Sequence, residues 1–261
     1  VVNEHDASIV LFHRYFGFNT LDSQINSFCD EMRQMRKFTI EDCTQCLYSD
    51  ISRATADFTV GSIRKWTGTP DGGFAVCHNG KFESKPQHPD KHLESAKVKA
   101  SYAKYRYLFE NTGDKSEMLT MYRCAEDILD AQKDLYAISD ISSKVQANLN
   151  IDSLKRKRRE NFNLLRTSLK TIISPLFPII CGSEVPLYFP LFVKDRESLQ
   201  KYLVQNSIYA PIVWPKSELQ PKVDDGAENA YEHLLCIPID QRYGIDDMNR
   251  IVKVVNDFYN V

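Results

Sequence analysis

No stretch of the 261-residue chain approaches the roughly 20 consecutive apolar residues needed to span a bilayer. The N-terminus, VVNEHDAS, lacks the basic segment and apolar core of an export signal. Neither sign of charge dominates, since 33 Lys and Arg stand against 35 Asp and Glu for a net charge of -2. That balance removes the long-range attraction on which nucleic acids and anionic membranes depend, so an anionic ligand has to be held by local groups. There is no internal repeat and no low-complexity linker. No second CxxC follows to complete a zinc site begun by Cys43 and Cys46. Seven cysteines at irregular spacing, with no export signal, fit reduced thiols better than a disulfide framework. These absences leave an expectation of a cytoplasmic protein with a small-molecule partner, no metal, no nucleic acid and no membrane.

What is present is enough apolar sequence, 43% of the chain, to bury one large core or two smaller ones. The first ~75 residues alternate between the periods of strand and helix. SIVLF, from Ser8 to Phe12, reads as a short buried strand, and Asn19 or Thr20 offers a helix N-cap. Leu21, Ile25, Phe28, Met32 and Met35 then recur at steps of four and three, one apolar helical face. The next apolar run, Phe38 to Ile40, ends in Glu41 and Asp42. Strand, helix and strand make a βαβ unit with parallel strands, and ligands bind such sheets at the carboxyl ends of the strands. Asp42 stands at one, with a turn or N-cap role as its other reading.

From Ala56 to Ile63, Phe58 and Val60 alternate as in a strand, and the chain continues through SIRKWTGTPDGG to a second apolar run, Phe74 to Cys77. That is a strand, a turn carrying Lys65, and a strand. An isolated lysine on a turn is ordinarily just solvated. Schiff-base chemistry with an aldehyde cofactor needs an amine whose charge is relieved by burial or by a nearby cation, and Arg64 is adjacent. It also needs an acid that keeps a pyridine nitrogen protonated, a role open to Asp42. Ser62, on the same turn, has a hydroxyl suited to a phosphate.

In the order IEDCTQ and then SIRKWTGTPDGG, the chain resembles the fold-type I pyridoxal phosphate aminotransferases, most closely the DegT/StrS group that aminates nucleotide-linked keto sugars. Lys65 is followed after six residues by Gly72 and Gly73, the spacing of that group. The resemblance implies that Lys65 carries pyridoxal 5'-phosphate as a Schiff base, that Asp42 pairs with the pyridine nitrogen and that Gln45 lies near the ring hydroxyl. His13, in FHRYFG, is similar to the histidine of the group's HxYG strand end, with one extra residue before Gly17. Ser62 corresponds less closely, because members of the group often carry the phosphate-binding serine five residues before the lysine, where Val60 stands. An amino donor, a keto-sugar substrate and a homodimer are implied in the same way. So is an α/β fold: a partial large domain over residues 1–149 with a mostly parallel sheet, and a smaller α/β domain over 150–261.

Two departures accompany the resemblance. The part of the large domain that supplies a phosphate-binding helix N-terminus has no counterpart in the chain, which is read as beginning mid-domain. DLYAISDIS stands where the group places a subunit-crossing asparagine. A truncated, non-catalytic subunit that binds a partner chain is therefore the alternative to an enzyme.

Downstream, Ile138 to Leu165 resembles the domain-connecting helix of the group, and HLESAKVKASYAKYRYLFE and KSEMLTMYRCAEDILDAQ read as helices. Tyr102, Tyr105 and Tyr107 are expected to pack inside that helical region rather than to form a platform for bases. The basic run Lys155 to Arg159 reads as a solvated helix face or a sugar-phosphate contact. Beyond it, VPLYFPLFV and IYAPIVW are apolar runs, DRESLQKYLVQN a helix, and Asp246 to Tyr259 a final helix, with Trp214 and Tyr243 as residues of an active-site mouth or of a core.

Overall fold

Alternating and helical apolar periods become regular structure where the sequence places them. In the computed structural model, which describes residues 7–21, 23–170, 173–216 and 225–259, β1 (Ile9–His13) leads through α1 (Ile25–Gln34) to β2 (Phe38–Asp42). The two strands pair in parallel, Ile9 with Phe38 through to His13 with Asp42. β3 (Phe58–Ser62) adds in parallel on the far side of β2, and β4 (Gly73–Cys77) returns antiparallel to β3, so the sheet order is β1-β2-β3-β4. All three parallel strands point their carboxyl ends the same way. The row His13, Asp42, Val60 marks that edge.

The helix differs from its expected face. Asn19 and Thr20 cap nothing: α1 starts later, after Gln24, which makes no side-chain cap. Thr20 instead accepts the Tyr15 amide at 3.0 Å, and the Asn19 amide donates to Glu184 Oε1 at 2.9 Å, so both are engaged in the loop after β1. The face that packs down carries Cys29 and Met32, with Ile25 and Phe12 against Cys29, Ala54 and Ala56, while Met35 lies past the last turn and is exposed. On the other side of the sheet, Ile9, Leu11 and Phe38 are more than half exposed. Parallel sheets are normally covered on both faces.

Two helices follow β4: α2 (Lys91–Phe109), capped by Asp90, and α3 (Lys115–Asp130), capped by Asp114. The expectation of packed tyrosines fails here. Tyr102 and Tyr105 are 60% and 49% exposed, and they form with Phe109 a ladder of stacked rings on the surface, with centroids 6.4 and 5.4 Å apart. The helix buries Leu93, Lys97 and Ala100, a stripe that leaves those tyrosines on the opposite side.

The stretch read as one connecting helix is two, α4 (Asp140–Ala147) and α5 (Ile151–Ser168). Asn150 separates them by accepting the Ser153 amide on its side chain at 2.9 Å, a cap that competes with helix continuation. Asn150→Ala is expected to cost about 1 kcal/mol, read as an earlier urea midpoint.

The chain divides into two compact units at this point. One unit comprises the described residues of Val1–His13, Asp22–Leu47 and Ala54–Leu149; the other takes Arg14–Leu21, Tyr48–Arg53 and Asn150–Val261. The second unit adds β5 (Ser174–Pro175), β6 (Tyr188–Phe192), α6 (Arg196–Gln205), α7 (Asp225–His233), β7 (Leu234–Pro238) and α8 (Ile245–Phe258) to α5. Its sheet, β5-β6-β7, is antiparallel. Phe162, Leu165, Phe189, Leu235, Ile237 and Val255 fill the core between this sheet and its helices, all 0–1% exposed.

The basic run on α5 is not simply a solvated face. Lys155 pairs with Asp50 at 2.7 Å, and Arg158 is buried at 2% exposure. Its guanidinium donates to Gln241 Oε1 and to the Leu187 carbonyl, both at 2.9 Å, and burial pulls its pKa down to about 10 against the opposing pull of Asp240.

Candidate active site

The site assembles at the carboxyl edge of the parallel strands, within the first unit. The parallel register sets His13 beside Asp42 and Asp42 beside Val60, two residues before Ser62. Side chains alternate across β2, so Thr39 and Glu41 are buried while Asp42 is half-buried and open to the other face.

Asp42 accepts the Thr44 amide on Oδ1 at 2.8 Å, and His13 Nδ1 lies 3.3 Å from its Oδ2. Burial works against the charge of this carboxylate. The hydrogen bonds from His13 and from the Thr44 amide and hydroxyl outweigh it and hold the carboxyl below its ordinary range. Asp42 shapes the turn after β2, as its turn reading has it, and remains an ionised acid at a strand end. Gln45 is buried in the 3-10 turn Thr44–Cys46 that follows.

Thr44 joins this acid to the lysine turn. Its hydroxyl accepts the Ser62 amide at 3.0 Å and its carbonyl accepts Trp66 Nε1 at 2.7 Å. Trp66, 2% exposed, therefore anchors the residue next to Lys65, while Lys65 itself is exposed. The Ile63 carbonyl accepts the Trp66 and Thr67 amides at 3.0 and 3.2 Å and closes the turn. Gly72, at φ +112, ends it where a Cβ would stand 2.5 Å from the Ile63 side chain. Arg64 points elsewhere, to Glu126 Oε1 at 3.4 Å, and Lys97 binds the same carboxylate. The cation expected to lower the charge of Lys65 is thus shared with an acid.

Sequence reasoning missed the clamp on the other side of the turn. Asp71 accepts the Ser139 hydroxyl at 2.9 Å and the Ser139 amide at 3.2 Å, and Gln146 Nε2 donates to Thr67 Oγ1 at 2.8 Å. Ser139 also caps α4 by accepting the Ser142 amide. The signal was available in SDIS, a cap serine followed three residues on by another serine. Cys43 and Cys46 are buried and outside any disulfide, and among the described residues no three His, Cys, Asp or Glu cluster as a metal site would require. No described helix is long and apolar enough to cross a membrane.

The residues present fit a pyridine-based cofactor on two counts. An ionised, half-buried carboxylate suits a protonated ring nitrogen, and a lysine stands on a turn tied to that carboxylate through one threonine.

No family model and no curated protein sequence matches the chain. Solved structures do. The sugar aminotransferase CalS13 from Micromonospora echinospora aligns over 96% of this chain and 67% of its own length, at 17% identity and a TM-score of 0.61. The aminotransferase TlmJ from Streptoalloteichus hindustanus aligns over 97% and 66%, at 18% identity and 0.64. PseC from Helicobacter pylori, an aminotransferase involved in the biosynthesis of pseudoaminic acid, aligns over 96% and 66%, at 15% identity and 0.63. The chain spans about two thirds of the length of these structures. At such identities the likeness concerns the fold, and it agrees with the parallel edge that carries Asp42: the chain has the α/β architecture of the fold-type I pyridoxal phosphate transferases, with a mostly parallel sheet, as in the sugar aminotransferases.

Proposed function

We propose that the chain is the catalytic part of a pyridoxal phosphate-dependent aminotransferase that moves an amino group from an amino acid to a nucleotide-linked keto sugar. The observation that carries this reading is the ionised Asp42 at a parallel strand end, linked through Thr44 to the turn of Lys65. The sugar substrate rests on the solved structures that share the fold, among them the sugar aminotransferase CalS13.

When bound, the cofactor would supply an aldehyde and an electron-accepting ring. Asp42 would hold the ring nitrogen protonated, and its bonds from His13 and Thr44 keep it charged for that purpose. Lys65 Nζ would hold the cofactor at its aldehyde carbon and, once the amino donor displaces it, would take the proton that leaves the donor's α-carbon. Trp66 and the clamps at Thr67 and Asp71 fix the backbone from which Lys65 reaches, so that only its side chain has to move. Ser62 and Gln45 stand on the two segments joined by Thr44, within the same edge, as donors to the phosphate and the ring hydroxyl.

A visible absorbance band on adding pyridoxal phosphate to the purified protein, bleached by an amino acid and restored by a keto sugar, is the expected result. A protein that stays colourless and retains no cofactor on dialysis overturns the reading. It would favour a non-catalytic subunit, for which the exposure of the Lys65 side chain is the supporting observation.

Asp42→Asn keeps the shape and the Thr44 turn but not the charge. Losing a charge-assisted partner worth about 2–4 kcal/mol is expected to lower kcat/KM by roughly 10²–10³ and to weaken cofactor retention. Steady-state kinetics with equilibrium dialysis of the cofactor measures both.

A further inference from the structure

The second unit holds a cavity of about 260 Å³ that the proposed chemistry does not use. Rings of Tyr15, Phe16, Phe177, Trp214 and Tyr231 line it, with aliphatic floor from Leu176, Ile212, Val213 and Leu234. No charged residue is among its described lining. Its hydroxyls come from Thr20 and the two tyrosines, so one edge is polar and the rest is not. Tyr15 and Trp214 meet edge to face at 6.2 Å. Trp214 is 48% exposed although it borders this pocket, which is unusual for the largest apolar side chain in a folded protein. Burial raises the Tyr15 phenol above its ordinary value, and Tyr231 adds to the shift.

The geometry points to a binding site for an uncharged aromatic group of one or two fused rings bearing a hydrogen-bonding edge. An apolar cavity of about 150 Å³ holds one benzene, so 260 Å³ has room for a ring pair. Among the described lining residues there is no countercharge for an ionised group inside, and burying an unpaired charge costs more than ring stacking returns. The aromatic lining favours a flat ligand over an aliphatic one of equal volume, since stacked and edge-on rings gain beyond area alone. Thr20 and the phenols select ligands with a polar atom on the rim.

Saturation-transfer NMR with indole tests this on the full chain, without added cofactor. Indole is expected to bind with a dissociation constant of order 1 mM or below. Cyclohexanol and indole-3-acetate should each bind at least ~10-fold more weakly, the first for want of a ring and the second for its charge. Ala230→Phe, which fills the cavity from α7, and Trp214→Ala, which removes a half-exposed wall, should each weaken indole by ~10-fold or more while circular dichroism stays unchanged. The proposal is overturned by absent transfer to indole, by cyclohexanol binding as well as indole, or by unchanged binding in a folded Ala230→Phe or Trp214→Ala protein. None of these outcomes depends on Lys65 or on transamination, so the two readings fail separately.

Discussion

Lys65→Ala is expected to abolish transamination, by at least ~10⁴-fold in kcat, and to leave the urea midpoint within about 0.5 kcal/mol of the parent. The two halves of that expectation come from the same geometry. The side chain of Lys65 is exposed, while the structural bonds of its turn belong to the backbone, to Trp66 and to Thr67. Removing the amine therefore deletes chemistry and almost no packing. Lys65→Arg sharpens the result: it restores the charge but not a nucleophile, because a guanidinium stays protonated, so it should be as inactive as alanine. A lysine that merely steers an anionic substrate would behave otherwise, with Lys65→Arg retaining most of kcat/KM. That outcome, or a yellow cofactor-loaded Lys65→Ala protein with parental turnover, would sink the assignment.

The exposure of Lys65 bears on how a Schiff base would form at this turn. Amines in Schiff-base sites are usually relieved of charge by burial or by a neighbouring cation. In this chain Arg64 is drawn to Glu126 beside Lys97, and the clamps from Asp71 and Gln146 hold the loop without enclosing the lysine. The chain fixes where the amine starts from; relief of its charge would have to come from burial beneath the bound cofactor, the substrate or a covering chain.

Much of this edge was legible from residue order alone. A βαβ reading needs only local periods, and once the strands are parallel their carboxyl ends line up, so Asp42 and the Lys65 turn follow from β2 and β3 being neighbours. What escaped were features that local periods do not encode. Tyr102 and Tyr105 look like core residues by composition, yet α2 spends its buried stripe on Leu93, Lys97 and Ala100, and nothing in the tyrosine spacing says which side faces α3. Arg158 reads as one cation in a solvated run, and only the tertiary approach of Leu187 and Gln241 turns it inward. Arg14–Leu21 and Tyr48–Arg53 follow β1 and β2 in sequence but pack with residues more than a hundred positions away. Such partners leave no trace in a window of neighbouring residues.

One of those distant contacts carries the second large prediction. Gly17 sits at φ +93, and a Cβ there would stand 1.9 Å from the Val185 carbonyl oxygen and 2.9 Å from Pro186 Cα. Both obstacles are backbone, so no side chain can swing aside. The segments are also bonded across this point: Ser49 Oγ donates to the Gly17 carbonyl at 2.7 Å and accepts the Val185 amide at 2.9 Å, while the Leu187 amide donates to the Phe16 carbonyl at 2.7 Å. Gly17→Ala must push these strands of backbone apart by an ångström or more and break several buried hydrogen bonds, each worth about 1 kcal/mol, besides the ~1–2 kcal/mol that positive φ costs an L-residue. A loss of roughly 4 kcal/mol or more is expected, enough to unfold the second unit in mild urea. Gly68→Ala is the matched control, since nothing lies within 4 Å of its Cβ position and its φ is not positive. Its urea midpoint should stay with the parent. If the two alanine variants unfold together, the close approach of residues 17 and 185 is wrong, and with it the packing of the β1 exit loop against the strand-leading segment of the second unit.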